Sequence, residues 1–332
     1  MASINTPVLL KITSGRLHPL LVAILVYVVY VATAALVFYI ENLAFVWSNF
    51  EFILFFGLSI LYVVYVTHRI NKVHLRDFNK LLDYSELDAD RKRYWSELIA
   101  NHRPLWKESL GAVAVSLLHA YLQGLDRLLT GGSKYFWYDI WSVLQLMAIW
   151  VLITQSNSIF IRNMTIMNKL SKEIKIDLLN LEAFMPLTRS GVWSILGFIG
   201  VYTILFNESI DSLEDLDLAN PAVLVIIPSV FWMIYTPLKG FRKRVIKAKE
   251  EEIAFIDAAI EGDREHLKAS RIGKNLDNIN VIDLINYKKL IQTTFEIPVN
   301  IPTASRFVFY LILPLLTWVA ASMVDKALDY IF

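Results

Sequence analysis

The chain has 332 residues, of which 56% are hydrophobic and only 19% charged, with a net charge of +1 and no cysteine. Soluble domains carry charge on roughly 25% of their residues, so this composition points to lipid rather than water around much of the surface. The missing cysteines exclude a disulfide scaffold, thiolate metal sites and a cysteine nucleophile, and the near-neutral charge excludes a bulk attraction to nucleic acid.

The first apolar run, residues 19–40, follows Lys11 and Arg16. Its basic start and Ala32-Thr33-Ala34 resemble a signal sequence. The run is nevertheless longer than a signal core and continues unbroken to Ile40, so it reads as an uncleaved membrane span. A second run, 46–67, follows after a few residues and forms a hairpin with the first. The segment 68–108 then carries Arg69, Lys72, Arg76, Lys80, Arg91, Lys92, Arg93, Arg103 and Lys107. Basic residues in a short loop mark the cytoplasmic side, and Leu75, Phe78, Leu81 and Leu82 recur at helical spacing, predicting one or two cytoplasmic helices.

Residues 110–128 are the weakest span, short and interrupted by His119 and Gln123. The run at 135–156 is clear and opens on Tyr135, Phe136, Trp137, Tyr138 and Trp141, aromatic rings that favour the headgroup level. Arg162 to Arg189 is basic again, and Leu178, Leu179, Leu181 and Phe184 suggest an amphipathic helix on the inner surface. Spans at 191–207 and 221–238 flank an acidic loop, Glu208 to Asn220, that has no Lys or Arg and reads as external. Pro228 is expected to kink the sixth span. The segment 239–306 predicts two cytoplasmic helices, arranged as a hairpin, and the last span covers 307–325.

Every basic loop thus falls on one side. This yields an all-α integral membrane protein of about seven transmembrane helices, N-terminus inside and C-terminus outside, with cytoplasmic helical segments between spans 2 and 3 and between spans 6 and 7. The expected location is the plasma membrane, or the inner membrane of a bacterium. The third span is required by loop charges rather than by its own hydropathy.

Polar groups inside spans are costly and often mark a pathway. His119 and Gln123, four residues apart on one helical face, are either a relay or ligand contact or hydrogen-bonding glue between helices. In the last span, Arg306, Tyr310, Pro314, Thr317, Ala321 and Asp325 share one face; Tyr310, Thr317 and Asp325 either line an aqueous path or belong to ordinary close packing. Lys239, Arg242, Lys243 and Arg244 directly follow the sixth span and are either contacts for anionic lipid or plain inner-side anchors. No P-loop, GxSxG, GxGxxG or HExxH occurs, so no catalytic, metal or cofactor site is expected. The leading expectation is a channel- or transporter-like protein, forming a homo-oligomer and in contact with the lipid bilayer. The alternative is a membrane scaffold recruiting a cytoplasmic protein through 239–306, and a lipid enzyme assembled from several loops ranks third.

Overall fold

The computed structural model describes residues 7–13, 17–43, 47–101, 104–121, 128, 130–206, 221–268, 270 and 280–296. Among them helix is the dominant structure and no strand occurs: α1 (Val8–Thr13), α2 (Pro19–Ile40), α3 (Trp47–Tyr84), α4 (Ala89–Ala100), α5 (Trp106–Ala120), α6 (Phe136–Glu173), α7 (Met185–Phe206), α8 (Pro221–Ile260) and α9 (Val281–Thr293), with 3₁₀ turns at Leu181–Phe184 and Arg264–Lys268. The last predicted span, 307–325, lies outside the described residues.

α2 begins on Pro19, whose fixed φ suits a first helical turn, while the His18 ring accepts from the Leu20 amide. It is apolar all round. Val22, Ala23, Tyr30, Ala34 and Phe38 are buried, whereas Leu21, Leu25, Val28, Val29 and Leu36 are exposed. A helix dressed on every side with aliphatic groups is suited to lipid rather than water. α2 and α6 are the two helices among the described residues long and apolar enough to cross a membrane.

The predicted division into spans and separate basic helices needs correction. α3 and α6 are each single helices of 38 residues and α8 one of 40, so each is about 57–60 Å long, roughly twice the hydrocarbon thickness of a bilayer. The apolar run and the basic segment after it are continuous. Neither Gly nor Pro occurs between Leu58 and Tyr84 or anywhere in α6, and nothing in the local chemistry stops the helix. In α8 the helix also runs through Pro228, Pro237 and Gly240.

These long helices give the bundle two halves. In the apolar half α2, α5 and the first parts of α3 and α6 pack through Tyr30, Phe38, Ile53, Phe56, Ile60, Ala112, Trp141, Ile149 and Ile153. In the charged half the later parts of α3 and α6, with α4, α7, α8 and α9, enclose Phe78, Leu81, Trp95, Met167, Leu170, Phe184, Leu187, Phe241 and Ile291. The expected surface helix after Arg162 is absent. Leu178, Leu181 and Phe184 instead sit in this second core, the last two in the short 3₁₀ turn that leads into α7 and Leu178 on the turned connection before it. There Asp177 turns the chain by accepting from the amide of Leu179 at 3.0 Å. The expected hairpin in 239–306 is present: α9 lies against the end of α8, with Lys288 Nζ on Asp257 Oδ1 at 2.5 Å and the Tyr287 hydroxyl donating to Glu252 at 3.0 Å.

The α7–α8 pair is stepped along the bundle. α7 runs antiparallel to α3: Arg189 meets Asp77, Ser194 meets His74, a Cβ at Gly197 would strike Ile70 and Val66, and one at Gly200 would strike Tyr62. Continuing that pairing, Phe206 ends near the level of Ser59, about 12 residues or roughly 18 Å short of the start of α3. α8 gives the same answer. Arg244 reaches the carbonyls of Ser171 and Ile174, and Gly240 abuts Asn168. Pro221 therefore falls near the level of Trp150, roughly 20 Å below the start of α6.

Candidate functional site: a polar seam ending on a buried ion pair

Along α6 the side chains turned into the bundle are repeatedly polar. The Tyr30 hydroxyl donates to Gln145 Oε1 at 2.6 Å. One turn on, Trp150 Nε1 donates to His119 Nδ1 at 3.1 Å. Gln155 receives the Leu9 amide at 3.4 Å and donates to the Ser109 hydroxyl at 3.0 Å. Ser156 and Thr67 share a hydroxyl contact of 2.7 Å. Asn163 then donates to Asn71 at 2.8 Å and lies 3.5 Å from His74 Nδ1. From Gln145 to Asn163 this seam covers about 27 Å of helix, close to the roughly 30 Å of a bilayer core.

The seam ends in a cluster on α3 and α7. His74, Asp77, Ser190 and Ser194 are all 0% exposed. His74 Nε2 is 3.1 Å from the Ser190 carbonyl and 2.9 Å from the Ser194 hydroxyl. A carbonyl can only accept, so the neutral ring keeps its proton on Nε2, leaving Nδ1 to accept from the Asn163 amide. Burial pushes the imidazole down to about 4, against the raising influence of the Ser190 carbonyl and Asp77. Arg189 grips both oxygens of Asp77, with Nε to Oδ2 at 2.8 Å, and the Ser190 hydroxyl adds a bond to Oδ2 at 3.2 Å. The two-pronged pairing satisfies a carboxylate that could not otherwise stay charged in the interior.

This arrangement is not a nucleophilic triad. The atom that would have to take a proton from Ser194, His74 Nε2, already carries one, and Asp77 is bonded to Arg189 rather than to the imidazole. No group of metal-ligating side chains occurs among the described residues.

The predicted positions fare differently. His119 is in the seam with Trp150 as its partner. Gln123, Tyr310, Thr317 and Asp325 lie outside the described residues. Of the basic cluster after the sixth apolar run, Arg242 pairs with Glu296 at 2.8 Å and Arg244 closes the end of α6 by donating to the Ser171 and Ile174 carbonyls. Lys239 and Lys243 are exposed. The sequence reading missed His74, Asp77, Asn163, Arg189, Ser190 and Ser194. A signal was present: His74 and Asp77 occupy the same stripe of α3 as Ile70, Phe78 and Leu81, at spacings where apolar residues belong. No family model matches the chain, and no curated protein or solved structure matches it.

Proposed function

We propose that this is a channel- or transporter-like multi-pass membrane protein with about seven spans and an internal N-terminus, in which the seam from Gln145 to the His74–Asp77–Arg189 cluster is the polar route through the bundle. The observation that carries this reading is the length of the seam. Polar side chains are expensive inside a bilayer and concentrate where an ion or polar solute must pass, and here buried ones recur along one helix, at Gln145, Gln155, Ser156 and Asn163, over nearly a bilayer thickness. The last apolar segment, with Tyr310, Thr317 and Asp325, belongs to the same proposal as a second wall.

The exposure pattern supports the membrane placement. In the apolar half the outward groups include Leu21, Val29, Leu110, Leu118 and Leu144, whereas beyond His68 in α3 they include Arg69, Lys72, Arg76 and Lys80. The stepped α7–α8 pair is accommodated by tilting the bundle against the membrane normal, within the 0–40° range of spanning helices. Because the chain has no cysteine, a single Ser212→Cys variant reports the side of the acidic loop directly. Labelling by an impermeant reagent from outside supports seven spans, and labelling only from inside removes them.

The function is tested by reconstituting the purified protein in liposomes and following proton and monovalent-ion flux. Asn163→Leu should abolish flux while the helix content is kept, with a lower melting temperature because Asn71 and His74 lose their donor. Flux equal to the parent would sink the seam as a route.

A second reading, a scaffold recruiting a cytoplasmic protein, is favoured by one observation. On and just after α9, Ile282 is 68% exposed and Phe295 71%, with Ile285 also outward. Ile282→Glu with Ile285→Glu in the full chain should then abolish co-purification of the partner. Unchanged flux and unchanged co-purification together would remove this reading.

A further inference from the structure

The apolar stretches of α2 and α3 stop at one corner of the bundle. α2 opens at Pro19 immediately after the exposed His18, and α3 leaves its apolar run at Thr67 and continues with His68 and Arg69. The corner is tight enough for these groups to act on His68: burial first, then Lys72, His18 and Arg69, hold it below its ordinary value. From this corner Arg69, Lys72, Arg76 and Lys80 follow down α3 at spacings of three, four and four, which keeps them on one face. All four are exposed. The single acid in this stretch, Asp77, is fully buried; it is gripped by Arg189 and lies 3.4 Å from Arg76 Nε, so it offsets Arg76 and not the two cations above it. Among the described residues Arg69 and Lys72 have no acidic partner.

We propose that this corner binds the headgroups of anionic phospholipids, with Arg69 and Lys72 as the contacts. The location selects the occupant. Arg69 and Lys72 lie within about 5 Å of each other along the axis, directly beneath the ends of two apolar helices, which is the depth of the headgroup layer. Both have long stems that can lie along apolar surface while the charge meets phosphate. The basic cluster on α8 is a poorer candidate. Arg242 and Arg244 there are committed to Glu296 and to the end of α6, and the step in the bundle places them well below this corner.

The proposal rests on α2 and α3 being membrane helices and not on transport. The test uses the full chain in nanodiscs of phosphatidylcholine alone or mixed with phosphatidylglycerol, reading retained lipid by native mass spectrometry and the melting temperature. The parent should retain phosphatidylglycerol preferentially and melt higher in the mixed discs. Arg69→Gln with Lys72→Gln should weaken that retention by roughly 30-fold, at about 1 kcal/mol per cation. The charge-keeping pair Arg69→Lys with Lys72→Arg should preserve it, which separates charge from folding. Lys243→Gln with Lys247→Gln should leave it unchanged. The proposal is overturned by a parent without lipid preference, by a preference that survives the first pair, by equal loss in the α8 pair, or by equal stabilisation from inorganic phosphate in neutral discs. Failure to enter nanodiscs at all would instead overturn the membrane reading itself.

Discussion

The two halves of α3 and α6 obey opposite rules although each belongs to one uninterrupted helix. In the apolar half the exposed groups are aliphatic or aromatic and the interior holds pairs such as Tyr30–Gln145 and Ser109–Gln155. In the charged half the exposed groups include Lys80, Arg93 and Glu97, beside the apolar Ile282 and Phe295 near α9, and the interior is packed with Phe78, Leu81, Met167 and Phe241. The two halves are held together by different forces. Where lipid is the solvent, apolar contact between helices brings no solvent-driven gain and polar pairs and close packing take over. Where water is the solvent, burying aliphatic surface at about 25 cal/mol per Å² dominates. The His74–Asp77–Arg189 cluster sits at the change of regime and ties α3 to α7 through a buried, two-pronged ion pair.

The comparison can be broken first at that junction. Asp77→Ala strands Arg189, which is only partly exposed, and removes an acceptor from Ser190. A loss of about 3–5 kcal/mol is expected, measured as unfolding in detergent, with the α7–α8 pair becoming protease-sensitive before the α2–α3 hairpin. A uniform loss of protection across the molecule would mean that the cluster is not a joint between halves.

The next effect is on acid stability. His74 is held down to about 4 when folded and returns toward 6.5 when unfolded. The unfolded chain therefore binds the extra proton, and the stability from keeping the ring neutral is complete above about pH 6.5 and lost as the pH falls toward 4. The loss should amount to about 3 kcal/mol. His74→Gln should flatten this part of the pH profile; a slope equal to the parent's would assign the acid sensitivity to other groups.

A smaller change is expected from packing. Gly197 lets α7 approach α3 so closely that an added methyl meets the buried Ile70 side chain. Gly197→Ala should cost about 1–3 kcal/mol, the range for overpacking, and stabilisation instead would mean that Ile70 can move aside. The smallest effect belongs to the outer surface of the charged half. Arg93→Gln, which removes the exposed pair with Glu97, should change stability by less than about 1 kcal/mol. A larger change would show that this surface is not freely solvated.

Much of the architecture was legible because hydropathy periods are local. The apolar runs at 19–40 and 135–156 correspond to helices of that character, and the hairpin in 239–306 is marked by its own apolar spacing and by the capping box of Asn280 and Asp283. His119 was legible as an interior polar group because it interrupts an apolar run. The rest of the site was not. His74 and Asp77 stand in a segment so rich in Arg and Lys that they read as two more surface residues, and only the neighbouring α7 shows that they face inward. Arg189 and Arg244 looked like anchors of the same kind as their neighbours. One closes on a buried carboxylate and the other on helix-end carbonyls, and partners 70 or more residues away leave no local trace.

Helical character, and the alternation of apolar runs with cationic segments, could be read from the sequence alone, since both are properties of single segments. Only packing between helices shows that the apolar runs and the basic segments after them are continuous rods, that the α7–α8 pair is stepped by roughly 18 Å against the rest, and that a polar seam joins residues from α1, α2, α3, α5, α6 and α7. Those features depend on the register between helices. Register is set by which small and polar side chains meet across an interface, as Gly197 meets Ile70 and Ser194 meets His74.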